Sequence, residues 1–225
     1  MSHETNGKPF QKLWKLLPLN GARLRAQNVW DEAHPRTLGS VQSEAKGNNK
    51  TVHIGRLFDL CVEKHSELAA RLRKYKGRVV FGGNNVRDEY GLAAMFPEQG
   101  SGASFATASK LLDAVSLLPG CSGEQSHAPS ACTQSVFFEG MDESKCLVTW
   151  IQLPPSQWPP SWHKLRKETG QQPVCCLLKS FYGHLMSGLY FEKHYSKALL
   201  DSGFQCIFGW ECLYFHAQLQ VILSV

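Results

Sequence analysis

Five of the eight residues from Arg71 to Arg78 are basic: Arg71, Arg73, Lys74, Lys76 and Arg78, with Tyr75 inside the run. Cations that dense can neutralise several phosphates of a nucleic acid, and an aromatic ring among them offers a face on which a base can stack. The competing reading is plainer, since a charged loop or strand edge kept in solvent has the same composition. The formal net charge of +5 suits either.

Other residues capable of chemistry form no comparable pattern. Acidic pairs occur at Asp31-Glu32, Asp88-Glu89 and Asp142-Glu143, each in a polar setting that predicts solvated surface or a helix start. Histidines and cysteines are scattered, without the local signature of a nucleophile and its base. The eight cysteines (Cys61, Cys121, Cys132, Cys146, Cys175, Cys176, Cys206 and Cys212) include no C-x-x-C pair. Two of them are adjacent, which suits neither a zinc knuckle nor a disulfide framework. Gly82-Gly83-Asn84-Asn85 lacks the G-x-G-x-x-G spacing of a dinucleotide loop. The first residues carry no apolar core of a secretory signal, and no apolar run approaches the ~18 residues of a membrane span. Reduced thiols in a soluble intracellular protein, cytoplasmic or nuclear and not on a membrane, are the expectation.

These side chains need elements to hold them. With 43% apolar and 19% charged residues the chain resembles ordinary globular proteins and supports a core. Residues 1–28 read as a poorly ordered leader. A helix from Trp30 to Lys46 is predicted with interruptions at Pro35 and Gly39. Thr51 to Val62 reads as one or two strands, and the basic run as a polar loop leading into a short strand, Arg78 to Phe81. Apolar residues at helical spacing predict a helix from Ser104 to Leu118, stopped by Pro119-Gly120, and another from Leu185 to Leu200, ended by Gly203. Strands are predicted at Leu147 to Leu153, Val174 to Leu178, Leu213 to Phe215 and Leu219 to Val225, and a rigid turn at Pro154 to Trp162. Strands and helices alternate without a βαβ rhythm, which favours α+β. The last run ends on apolar residues without a polar tail, which reads as truncation.

The order of several strings adds to this. Trp30 through Lys50-Thr51, followed by Tyr75-Lys76-Gly77-Arg78-Val79-Val80-Phe81-Gly82-Gly83, resembles the opening of copia-type retrotransposon reverse transcriptases. There a helix with a tryptophan leads into a fingers strand of the form K-A-R-L-V-A-x-G. Lys110-Leu111-Leu112-Asp113-Ala114 resembles the family's helix ahead of the catalytic strand, and Trp150-Ile151-Gln152-Leu153-Pro154 its Y-M-x-Q-P stretch. Val174 through Lys179-Ser180-Phe181-Tyr182-Gly183 resembles V-C-x-L-x-K-S-L-Y-G, the family's most distinctive string. The resemblance spans about residues 28 to 225. It implies an incomplete polymerase right hand, with fingers over about 29–120 and a partial palm over about 121–225, ending before the palm's catalytic hairpin.

Reverse transcriptases join nucleotides with two divalent ions held by aspartates. The family carries one aspartate in D-V-x-x-A-F, and His127-Ala128-Pro129-Ser130-Ala131-Cys132 stands in its place here. His127 replaces the aspartate, and Cys132 the aromatic residue beside the incoming sugar. Magnesium, the family's cofactor, prefers hard oxygen ligands, so neutral imidazole is a poor substitute. The family's Y-V-D-D would follow a string like Leu223-Ser224-Val225, where this sequence stops. Lys76 and Arg78 match fingers positions that meet template and nucleotide phosphates, and Lys179, Tyr182 and Gly183 match the segment lining the nucleotide site. Tyr182-Gly183 reads equally well as a turn before a helix.

The resemblance therefore implies a degenerate, catalytically inactive fragment of an RNA-directed DNA polymerase, holding no magnesium of its own. Its partners would be an RNA or DNA template, bound weakly through charge, and other parts of a retrotransposon polyprotein. One alternative is a polymerase piece active only when another chain completes it. Another is a non-enzymatic nucleic-acid-binding or scaffold protein that uses the basic fingers surface.

Overall fold

The computed structural model describes residues 20–96, 104, 106–137 and 147–225. Within them the chain is a mixed α+β protein with two sheets. The expected leader lies largely outside the described residues, but from residue 20 the chain is already helical (α1, 20–26). Leu24 of α1 enters the core, and Asn20 accepts a hydrogen bond from the Val79 N–H at 2.8 Å.

The larger sheet has the order β1-β5-β4-β2-β3, formed by Arg36–Thr37 (β1), Pro173–Cys176 (β5), Val148–Gln152 (β4), Val52–Lys64 (β2) and Lys74–Phe81 (β3). β2 is its spine. The first half pairs in parallel with β4, Val52 opposite Val148 through Arg56 opposite Gln152. The second half pairs antiparallel with β3, Leu57 opposite Phe81 through Lys64 opposite Lys74. Lys74 to Gly77 of the basic run, expected as loop, therefore belong to the strand, in register with Cys61 to Lys64 of β2, while Arg71 and Arg73 precede it.

Side chains alternate across a strand, so each half of the sheet has two faces. One face of the parallel half is covered by α2 (Leu38–Gly47), whose Val41 and Ala45 pack on Val52, Ile54 and Val174. The helix begins where Thr37 Oγ1 accepts the Ser40 N–H, so Gly39 sits inside its first turn rather than breaking it. Trp30, expected at the start of this helix, instead bridges Leu177 as a buried extended residue.

The opposite face holds the main core: Leu57, Val79, Phe81, Ile151, Leu153, Phe137, Trp162, Phe181 and Tyr190. It is closed by α4 (Pro160–Thr169) and α5 (Ser187–Asp201). The stretch read as a rigid turn in fact starts α4, since Pro160 occupies the first helical position, where its missing N–H has no role. α3 (Ala106–Ser116) and a second sheet, β6-β7-β8 (Gln205–Cys206, Leu213–His216, Val221–Ser224), complete the described chain. The expected terminal strand is thus paired through β7, with Leu223 opposite Tyr214. Glu89, expected as solvated, is buried and accepts the Val52 N–H at 3.1 Å, tying the start of β2 to the 88–92 turn.

Two histidines lie inside this core. His184 Nδ1 accepts the Met186 N–H at 3.2 Å, its ring meets those of Phe81, Phe96 and Phe137, and Nε2 lies 3.4 Å from Thr149 Oγ1. His53 stacks at 4.4 Å on Phe96, and its Nδ1 has no hydrogen-bond partner among the described residues. Burial lowers the pKa of His53 from 6.5 to about 4, against the pull of Glu89 and Asp88. Burial and the nearby His53 lower that of His184 to about 3. Both are neutral when folded and protonate near 6.5 when unfolded, so below pH 6.5 the unfolded chain binds more protons. Stability is complete above that pH and falls as the pH drops toward 4, by up to about 1.4 kcal/mol per pH unit for each ring. Urea unfolding at pH 7.5 and 5 should show the midpoint falling, and the double variant H53Q/H184Q should show a flatter dependence. Equal slopes for wild type and variant would remove these rings as the cause.

Candidate nucleic-acid interface

Beyond Leu57 the β2–β3 hairpin leaves the core, and its two faces differ in charge. In register, Phe58, Leu60, Val62 and Lys64 lie opposite Val80, Arg78, Lys76 and Lys74, and opposed residues share a face. All of these but Val80 are exposed. The β3 row carries Lys74, Lys76 and Arg78 at alternate positions, spaced by about 7 Å. The β2 row beside it carries Phe58, Leu60 and Val62, 45%, 40% and 44% exposed. No carboxylate shares this face of the hairpin, and none of its four cations is in an ion pair among the described residues. Arg78, slight dehydration and Lys64 together push the Lys76 pKa below its ordinary value, the mark of cations crowding one another.

The reverse face is neutralised. Glu63 Oε1 accepts a hydrogen bond from the Tyr75 hydroxyl at 2.9 Å and lies 3.5 Å from Arg73 Nη1. That hydrogen bond raises the Tyr75 pKa. Arg73 also donates to the Leu68 carbonyl at 2.9 Å. Tyr75 and Arg73 thus stand apart from Lys74, Lys76 and Arg78, and Arg71 is exposed in the connecting turn. The sequence reading missed Lys64 and the apolar row. The alternation from Phe58 to Lys64 was visible, but not which face the core would take.

The 181–184 turn packs on the base of this hairpin. The Phe81 N–H donates to the Tyr182 carbonyl at 2.9 Å, and Tyr182 is 46% exposed. Burial and Cys132 raise the Tyr182 pKa, opposed by Arg78 and Arg23, so Arg78, Tyr182 and Cys132 share one neighbourhood. Gly183 has φ +91°, and a Cβ there would lie 2.2 Å from the Phe81 carbonyl oxygen. Lys179 is farther along, paired with Val136.

His127 lies on an exposed stretch without regular structure. No group of three or more His, Cys, Asp or Glu able to hold a metal occurs among the described residues. On the reverse-transcriptase resemblance His127 would put an imidazole where that family has a carboxylate, a poor ligand for magnesium. Seven cysteines are free, Cys146 lying outside the described residues, and no described helix is long and apolar enough to cross a membrane. Compared with known proteins, the chain matches no family model, no curated protein and no solved structure.

Gly183→Ala should destabilise the protein by about 3 kcal/mol, because it combines a disfavoured φ with a backbone clash. Gly91→Ala, at φ +84° in open space, isolates the φ contribution of about 1 kcal/mol. Thermal melts of the two variants should differ clearly. Equal losses would mean that the close approach to Phe81 is relieved at no cost.

Proposed function

We propose that this chain is a non-catalytic remnant of a copia-type reverse transcriptase whose β2–β3 hairpin binds single-stranded nucleic acid. The observation that carries the binding is the separation of two rows on one exposed face. Phosphates of an extended strand laid along the hairpin meet Lys74, Lys76 and Arg78, whose repeat of about 7 Å is comparable to one extended nucleotide. Bases then lie over Phe58, Leu60 and Val62, one strand spacing away, where contact with apolar side chains and stacking on Phe58 are independent of sequence. A duplex keeps its bases paired and cannot use the apolar row, so single strands are preferred. The ancestry is supported by the ordered strings from Tyr75-Lys76-Gly77-Arg78 to Lys179-Ser180-Phe181-Tyr182-Gly183. The loss of catalysis is supported by His127, an imidazole in the place of the family's aspartate.

Two measurements test this reading. Primer extension on poly(rA)/oligo(dT) with Mg²⁺ or Mn²⁺ should not exceed a no-protein blank, and incorporation that survives His127→Ala refutes the inactive assignment. For binding, fluorescence anisotropy across a salt series should give a linear dependence of log K on log salt. The triple variant K74A/K76A/R78A should flatten that slope by about two units, at ~0.7 per cation on a single strand. Arg73→Ala, on the neutralised face, should leave it unchanged. Equal slopes for wild type and the triple variant would reduce the basic face to a solvated surface.

A further inference from the structure

The open face of the hairpin does not run on indefinitely. Two residues before Arg56 the same face of β2 passes beneath α2, where Ile54 is buried. At this boundary lies a notch of about 240 Å³ lined by Ile54, Gly55, Arg56, Asn85, Arg87 and Gln152. The register explains why its polar groups converge. Arg56 lies beside Gln152 in the parallel ladder, and Arg87 pairs with Ile54 from the other side, so all three project on one face, with Asn85 two residues before Arg87.

The charges in the notch are uncompensated. Neither arginine is in an ion pair among the described residues. Arg87 donates through Nε to Asn85 Oδ1 at 3.0 Å, which fixes the guanidinium and leaves its two terminal nitrogens for a ligand. The acidic residues that follow are engaged elsewhere: Asp88 Oδ1 accepts the N–H groups of Tyr90 and Leu92, and Glu89 that of Val52. Two guanidinium groups with a side-chain amide make a site for an oxyanion, since the planar fork of arginine matches paired oxygens. The volume falls short of the roughly 300 Å³ at which sites for drug-sized ligands begin, which favours a small anionic group.

We propose that Arg56, Arg87, Asn85 and Gln152 form a binding site for a phosphate monoester, the terminal phosphate of the single strand on the hairpin. The assignment to a strand end rests on the single-strand reading above. Its own support is twofold. A terminal monoester carries close to two charges at neutral pH, matching two guanidinium groups, whereas an internal diester carries one. The notch also lies where the open face stops against the α2-covered core, so a strand following the cation row ends there.

The test is displacement of a labelled oligouridylate from the full chain by unlabelled oligouridylates ending in 5′-phosphate, 3′-phosphate or only hydroxyls. One phosphorylated end should compete about tenfold better than the hydroxyl form, the effect of one charge-assisted hydrogen bond. In R56Q/R87Q that advantage should vanish while the hydroxyl form still binds. In K74A/K76A/R78A all three competitors should weaken together. Identical competition by the three ends would overturn the terminal-phosphate site and leave the hairpin reading standing. Should no oligonucleotide bind, the hairpin reading fails, and titration with inorganic phosphate, followed by NMR of the arginine Nε–H groups, decides the notch alone. Saturable shifts absent from R56Q/R87Q uphold it as an oxyanion site, and their absence in wild type overturns it.

Discussion

Phe81 is wedged between two glycines, and the arrangement of the rest follows from that contact. Its ring occupies the space where a Cβ of Gly55 would stand, with ring atoms 2.2 Å from that position. Its backbone meets the 181–184 turn so closely that Gly183 has no room for a side chain. One aromatic residue therefore joins the end of β3, the middle of β2 and the turn leading into α5. A larger residue at position 55 would lift Phe81 from the sheet and separate Leu57, Val79 and Phe137. With the base of the hairpin held, the register from Leu57 to Lys64 follows, and with it the face on which each cation stands.

The two-residue period of the strand then dictates the surface. Leu57, Val79 and Phe81 must face the main core, because their burial is what holds the sheet on α5 and α4. Phe58, Arg78 and Val80 are consequently turned to the other side. α2 is only ten residues long and along β2 covers that side only over Val52 and Ile54. The exposed apolar row, the cation row and the Arg56–Arg87 notch are one uninterrupted strip left open by a short helix.

How much of this could be read from the sequence depended on whether a signal was local. The helices α3 and α5, the strands β4 and β5 and the stops at Gly120 and Gly203 rest on apolar spacing and left-handed turns, and they lie close to where expected. The basic run was legible as charge but not as geometry. Whether Arg73 joins Lys74 or opposes it depends on the register with Glu63, ten residues earlier across a turn. The 88–92 turn hid in a polar stretch because Glu89 is buried by a partner 37 residues away, the Val52 N–H. The start of α4 hid behind prolines that usually signal turns and here begin a helix. His53 and His184, 131 positions apart in the sequence, meet only through the packing of Phe96 and Phe81.

On the proposed reading, the difference between what is lost and what is retained has a physical origin. Two-metal phosphoryl transfer needs each carboxylate within a fraction of an ångström of its place, and an imidazole at one of them removes a hard oxygen ligand. Phosphate binding along a strand is graded instead: each cation contributes its own increment of counterion release, and none must be placed more accurately than the flexible lysine stem allows. The hairpin fits that tolerance. Lys64, Lys74, Lys76 and Arg78 act from a continuous two-stranded ladder, and Glu63, the carboxylate between Val62 and Lys64, is held on the far face by Tyr75 and Arg73. Moving Glu63 one residue along the strand would put it among the cations. The register that Phe81 enforces is therefore also what keeps the surface positive.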